Sequence, residues 1–185
     1  REMGAPVWLS KAAQAAAPAA YPARSDVRAF IDEMAETQGF DRAALRRLFA
    51  QVRYKRDIVA AMERPLLVPP KWYEYAPPFL APARVAGGVA YWNAHADELA
   101  RAEAQYGVPA EIVVAIIGVE TFYGRVTGKY RALDALATLA FDYPRRAAFF
   151  RGELKQFLLL ARELVVSPLV PKGSFAGALG VPQFM

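Results

Sequence analysis

Glu120 is the residue whose surroundings best suit proton chemistry. It closes the run Glu111-Ile112-Val113-Val114-Ala115-Ile116-Ile117-Gly118-Val119-Glu120. On a helix, Val113, Ile116 and Ile117 share its face, so the carboxyl is expected on an apolar stripe. Desolvation disfavours a charged carboxylate. A carboxylic acid that stays protonated near neutral pH is what a general acid requires. Tied to Arg125, Lys129 or a helix end, the same carboxyl would be a structural group, because ion-pair networks also perturb carboxyls.

A second cluster runs from Lys172 to Met185, with Gly173, Gly177 and Gly180 among small residues. Such glycines let backbone approach another element or a ligand. Ser174 and Gln183 are neutral hydrogen-bonding groups, suited to a hydroxylated or N-acetylated ligand. A glycine-rich turn before a packed helix accounts for the same residues. No Gly-Lys-Ser/Thr closes the segment, so it is not a phosphate loop. A third cluster is aromatic: Tyr73, Tyr75, Phe79, Tyr91, Trp92, Phe122 and Tyr123 suit either a sugar-stacking cleft or a core. There is no Cys and one His, His95. That leaves no thiolate nucleophile or Cys-ligated metal, and little material for a Ser-His-Asp triad or a multi-His zinc site.

The elements that must position these groups read as helices. Ser25 and Asp26 are expected to cap a helix carrying Val27, Phe30, Ile31 and Met34, with Gly39 ending it. Asp41 caps the next, with Leu45, Leu48, Phe49 and Val52 on one face. A third spans Arg56 to Glu63 and Pro65 stops it. Six prolines make 65–82 irregular. Residues 83–106 read as one long helix ending at Gly107. Pro109 suits the first helical position of the next, which runs to about Phe122. A short helix over 133–141 and another from Pro144 to about Glu163 follow. Period-2 alternation is nearly absent, so the fold class is mainly α. Residues 1–24, rich in Ala and Pro, read as a tail or linker.

The chain has 185 residues, 55% hydrophobic and 22% charged, which excludes wholesale disorder. Its net charge of +5 suits polyanionic partners without choosing among them. A nucleic-acid role lacks a dense Lys/Arg stripe or a recognisable motif. No run approaches the roughly 20 apolar residues of a membrane span. The chain opens Arg1-Glu2 without a Met-initiated leader and reads as processed or cut.

Four segments occur in order: Gly118-Val119-Glu120-Thr121; Tyr123-Gly124-Arg125-Val126; the stretch from Leu133 to Arg146; and Gly173 to Gly180 followed by Gln183-Phe184-Met185. Together they resemble the membrane-bound lytic murein transglycosylase B family, including its soluble fragments, over about residues 26–185. The resemblance implies a lysozyme-like core and cleavage of the β-1,4 bond between N-acetylmuramic acid and N-acetylglucosamine in peptidoglycan, with a 1,6-anhydro product. It places the single catalytic acid/base on Glu120, substrate contacts on Ser174, Gln183 and Phe184, and a cleft tyrosine on Tyr75. It further implies a periplasmic or outer-membrane-associated location, peptidoglycan glycan strands as partner, no nucleic acid, and peripheral membrane association through a lost lipid anchor. A water-using muramidase and a non-catalytic peptidoglycan-binding module are the alternatives.

Most glycosidases use two carboxylates about 5–10 Å apart. Here the next acid along the chain is Asp134. A single-carboxylate mechanism works if the substrate supplies the second function. Glu120 and Ser174 are 54 residues apart, wider than in simpler relatives of this fold. The stretch 133–166 therefore reads as an insertion. The expected domains are a helical accessory domain over 25–70 plus 133–170 and a partial core over 71–132 plus 171–185. The family continues past Gln-Phe-Met with further cleft tyrosines, core helices and, in some members, a calcium loop. On that basis the core is expected to be incomplete here. The Asp-x-Asp/Asn-x-Asp/Asn-Gly calcium pattern does not occur, so no cofactor is expected in this chain.

Overall fold

The computed structural model describes residues 20–64 and 68–185. The chain divides into two compact units, up to Gln51 and from Val52 onward. In the first, a single 3-10 turn, Tyr21–Ala23, precedes α1 (Ser25–Gln38) and α2 (Arg42–Phe49). α1 buries Val27, Phe30, Ile31 and Met34, the face its spacing predicts. Gly39, at φ 68°, ends it in the left-handed conformation that glycine adopts without a Cβ penalty. Asp41 caps α2 by accepting from the Ala44 N–H at 2.6 Å. Phe30 and Phe49 meet edge-on, centroids 5.9 Å apart. Of the expected tail, residues 1–19 lie outside the described residues, and Tyr21 is buried. Pro65, expected to stop the third helix, also lies outside them.

The second unit is built on two helix groups. The first contains α3 (Arg56–Met62), α8 (Ala132–Asp142) and α9 (Ala147–Glu163). α8 is buried at every residue from Ala132 to Phe141. Its alanines let neighbours approach closely while Leu133, Leu136 and Leu139 fill the space between. α9 packs along it with Phe150, Leu154, Phe157, Leu158 and Ala161 buried. The strand-like lead into α3 hangs on α8: the Arg53 N–H donates to Asp134 and the Lys55 N–H to Thr138 Oγ1. These bonds satisfy backbone groups that would otherwise be orphaned.

The second group contains α4 (Trp72–Tyr75), α5 (Pro82–Ala94), α6 (Ala96–Tyr106) and α7 (Ala110–Thr121). The long helix expected over 83–106 is in fact two. His95, at φ −124° and ψ 26°, breaks it and caps both halves. The His95 ring lies 4.4 Å from that of Tyr91. α6 meets α7 at 115°, turning at the left-handed Gly107. Pro109 is the residue before the first helical turn of α7, not its first member, because its ψ of 138° is extended. Leu99, Ala110 and Val114 form a small core with Tyr91, Val113 and Tyr123 packed on it.

A short antiparallel ribbon joins β1 (Tyr130–Arg131) to β2 (Lys172–Gly173), in register Tyr130↔Gly173 and Arg131↔Lys172. The chain leaves at Arg131 for α8 and α9 and returns beside it. Gly128 makes this crossing possible: a Cβ there would collide with the Gly173 carbonyl. No single helix among the described residues is long and apolar enough to cross a membrane.

Candidate active site

Glu120 stands in the last turn of α7 and is exposed. Its apolar neighbour Ile116 is 49% exposed, so the chain's own stripe does not desolvate the carboxyl as expected. The reason is that α7 is apolar around its whole circumference. Val114 and Gly118 face the core, which turns Ile112, Ile116, Val119 and Glu120 outward. Among the described residues Glu120 makes no ion pair with Arg125, Lys129 or any other cation.

The turn after Glu120 is strained and firmly held. Phe122, Tyr123 and Gly124 take φ of 50°, 60° and 79° in succession. Left-handed backbone costs a non-glycine residue about 1–2 kcal/mol, and such strain persists only where surroundings over-determine it. Thr121, buried, supplies one restraint. Its hydroxyl donates to the Val181 carbonyl at 2.8 Å and accepts from the Gly124 N–H at 3.0 Å. Tyr123 supplies another. Its ring fills the space left by Gly87, Gly88 and Gly118, and a Cβ on Gly118 would lie 2.7 Å from the phenol oxygen. The Tyr123 hydroxyl donates to the Arg84 carbonyl at 2.9 Å, and Arg84 Nη1 donates to the Gly118 carbonyl at 2.6 Å. The Arg84 guanidinium also lies over Phe79 and Phe122, at 5.1 and 4.8 Å.

A groove of about 400 Å³ runs beside this platform, lined by Trp72, Tyr75, Phe79, Arg84 and, from α7, Gly118 and Val119. Tyr75 stacks on Phe79 at 4.9 Å and lies 6.3 Å from Trp72. The aromatic cluster therefore divides. Tyr91 and Tyr123 pack on the core, while Trp72, Tyr73 and Tyr75 remain exposed.

The C-terminal segment is stapled to the same turn. Gln183, at φ 54°, donates from Nε2 to the Thr127 and Gly180 carbonyls at 3.2 and 2.9 Å. Its Oε1 has no donor among the described residues. Ser174 Oγ accepts from the Ala176 and Ala178 N–H groups at 3.2 and 3.0 Å, which closes its own loop. Phe184 pairs through its backbone with Leu179. Its ring lines a separate groove of about 470 Å³ with Leu136, Phe157 and Leu160. Tyr75 thus shares a groove with Gly118 and Val119 of α7, Glu120 follows these on the chain without lining the groove itself, Ser174 and Gln183 belong to the loop fastened to 121–128, and Phe184 faces α9.

Asp134 is no second catalytic carboxylate. It is buried, 2.6 Å from Arg131, and accepts from the Arg53 N–H. Among the described residues no group of three or more acids or histidines is gathered as metal ligands. Arg84 and the Gly87-Gly88 pair are functional supports that the sequence reading missed. Their one signal was the cost of two adjacent glycines inside a helix.

The chain matches the family described as Transglycosylase SLT domain over residues 22–185. It is 48% identical over 165 residues to membrane-bound lytic murein transglycosylase B of Escherichia coli K12, covering 84% of this chain and 46% of that protein. The soluble lytic transglycosylase SltB1 of Pseudomonas aeruginosa is 56% identical with a TM-score of 0.85, over 86% of this chain and 54% of that one. SltB3 of P. aeruginosa, solved with NAG-NAM-pentapeptide, is 34% identical with a TM-score of 0.75, over 86% and 42%. The chain spans about half the length of the relatives it matches. The expected fold is therefore the observed one, a mainly helical, lysozyme-like transglycosylase architecture. By its family match over residues 22–185 and its likeness to these relatives, the chain belongs to the transglycosylase SLT domain family.

Proposed function

We propose that this protein cleaves the β-1,4 bond between N-acetylmuramic acid and N-acetylglucosamine of peptidoglycan with Glu120 as the single acid/base. One observation carries the reading. Glu120 is a solvent-facing carboxylate with no ion-pair or hydrogen-bond partner among the described residues, at the end of a helix whose last turn is restrained from several sides. A fold spends such rigidity where a group must be held for chemistry.

In the reaction Glu120 donates its proton to the glycosidic oxygen as the bond to the anomeric carbon breaks. The muramic N-acetyl group stabilises the anomeric centre, as in substrate-assisted glycosidases. The Glu120 carboxylate then takes the proton of the C6 hydroxyl, whose oxygen bonds to the anomeric carbon. The proton is returned, no water is consumed, and the product carries a 1,6-anhydro ring. Tyr75 offers an aromatic face to a sugar in the groove, and Gln183 offers Oε1 to an N–H or hydroxyl. Ser174 and Phe184 act from the same C-terminal loop. The glycan strand is the partner and the periplasm is the setting.

The test is digestion of purified peptidoglycan, with released muropeptides identified by mass spectrometry and Glu120→Gln as control. Anhydro-muropeptides that vanish with Glu120→Gln are expected. Reducing ends instead would make the protein a hydrolase. Binding with no product in either chain would make it a binding module.

A further inference from the structure

A pocket of about 350 Å³ beside the β1–β2 ribbon gathers five cationic side chains, Arg53, Lys55, Lys129, Arg131 and Lys172, from three separate segments. Two acids lie near them. Asp134 is already engaged by Arg131 and the Arg53 N–H. Asp57 accepts from the Tyr130 hydroxyl at 2.7 Å and feels the charge of Lys55. Among the described residues Arg53, Lys55, Lys129 and Lys172 form no salt bridge. The Lys129 ammonium lies over the Tyr130 ring, at 5.7 Å. By contrast, Arg42 in the first unit is paired with both Asp32 and Glu36. Five cations against two acids leave an excess of positive charge that repels itself, and a concave surface of net positive charge concentrates anions.

We infer that this pocket is an anion-binding site for carboxylate groups of the peptide carried by the glycan strand. The inference rests on the proposed function. The carboxylate source is favoured by position. Lys172 is two residues before Ser174, and Lys129 two after Thr127, whose carbonyl holds Gln183. The pocket therefore adjoins the loop assigned to the glycan. SltB3, a relative, was solved with NAG-NAM-pentapeptide, and a pentapeptide ends in a carboxylate. Inorganic phosphate is the competing source of the same chemistry.

The experiment is an NMR titration of this isotope-labelled chain with five probes: NAG-NAM, NAG-NAM-pentapeptide, the free pentapeptide, the same peptide with its carboxyl groups amidated, and inorganic phosphate. The free peptide should shift the amides of Lys55, Lys129 and Lys172, and the amidated peptide should not. NAG-NAM-pentapeptide should bind about three- to tenfold tighter than NAG-NAM, as one or two partly solvated charge contacts allow. That margin should shrink with added salt. The double variant Arg53→Gln/Lys172→Gln, at two exposed side chains, should erase the margin and leave NAG-NAM affinity unchanged. Equal shifts from the acid and amide peptides, or shifts from phosphate alone, overturn the assignment. Failure of NAG-NAM to bind counts against the proposed function instead, and the acid–amide comparison still judges the pocket.

Discussion

Two helices of similar length and apolar composition, α7 and α8, meet opposite fates. α8 buries a charge and a hydroxyl, Asp134 and Thr138, and is covered along almost its whole length. α7 has six β-branched aliphatics between Ile112 and Val119, yet Ile112, Ile116 and Val119 lie open on one side. Burial thus follows partners rather than composition. α8 has α3 and α9 to cover it, and its polar groups are each used by backbone N–H donors. The uncovered apolar face of α7 carries Glu120, and Gly118 and Val119 border the aromatic groove.

Stability measurements sharpen the contrast, and the largest effects belong to α8. Leu139→Ala should cost about 3 kcal/mol in urea unfolding, through lost transfer energy and a cavity. Asp134→Ala should cost a similar amount, because Arg131 loses this buried carboxylate and the Arg53 N–H loses its acceptor. Ile116→Ala on the open face should cost under about 1 kcal/mol. Equal losses at Leu139 and Ile116 would erase the distinction between the helices.

Within α7 the expected effects are graded. Gly118→Ala should cost about 2 kcal/mol by driving a methyl into the Tyr123 ring, and much less in a Tyr123→Leu background, where the double-mutant cycle reads their coupling. Thr121→Val should cost about 1–2 kcal/mol by breaking its hydrogen bonds to Val181 and Gly124. Glu120→Gln should leave stability within about 0.5 kcal/mol, since no structural contact is lost.

The smallest effect lies outside both helices, at the exposed Asp57–Tyr130 pair. Their hydrogen bond holds the Asp57 carboxyl below its usual range and the Tyr130 phenol above its own. The Asp57 share of stability is present above an unfolded-state value of about 4 and is lost as pH falls through the lower folded value. The Tyr130 share is present below about pH 10 and is lost as pH rises through the higher folded value. Denaturation curves of Tyr130→Phe should therefore fall below the parent between these limits and converge with it at both ends.

Local signals were legible in the sequence. Asp41, Gly39 and Gly107 act on their own neighbours, and all three do what their types predict. The buried face of α1 was equally readable, because its polar residues leave one side for the core. The side of α7 that stays open was not readable, since an apolar helix has no phase. The break at His95 escaped because no Gly or Pro marks it. Glu120 stood out by type and neighbours, but the triangle of Gly87, Gly88 and Gly118 around Tyr123 joins residues too distant for any spacing rule. The occupation of Ser174 Oγ and of Gln183 Nε2 by the loop itself also depended on tertiary contacts.

A chain is made from its N-terminus, and that order bears on the hydrogen bond from Thr121 to Val181, which spans 60 positions. When α7 emerges from the ribosome, the carbonyl that restrains its last turn has not been synthesised. α8 and α9, which pack on each other, come out next. Only when β2 returns to β1, and Val181 follows, does the turn beside Glu120 gain its final restraint. The Glu120 end of α7 therefore gains this restraint only after α8 and α9 have been made.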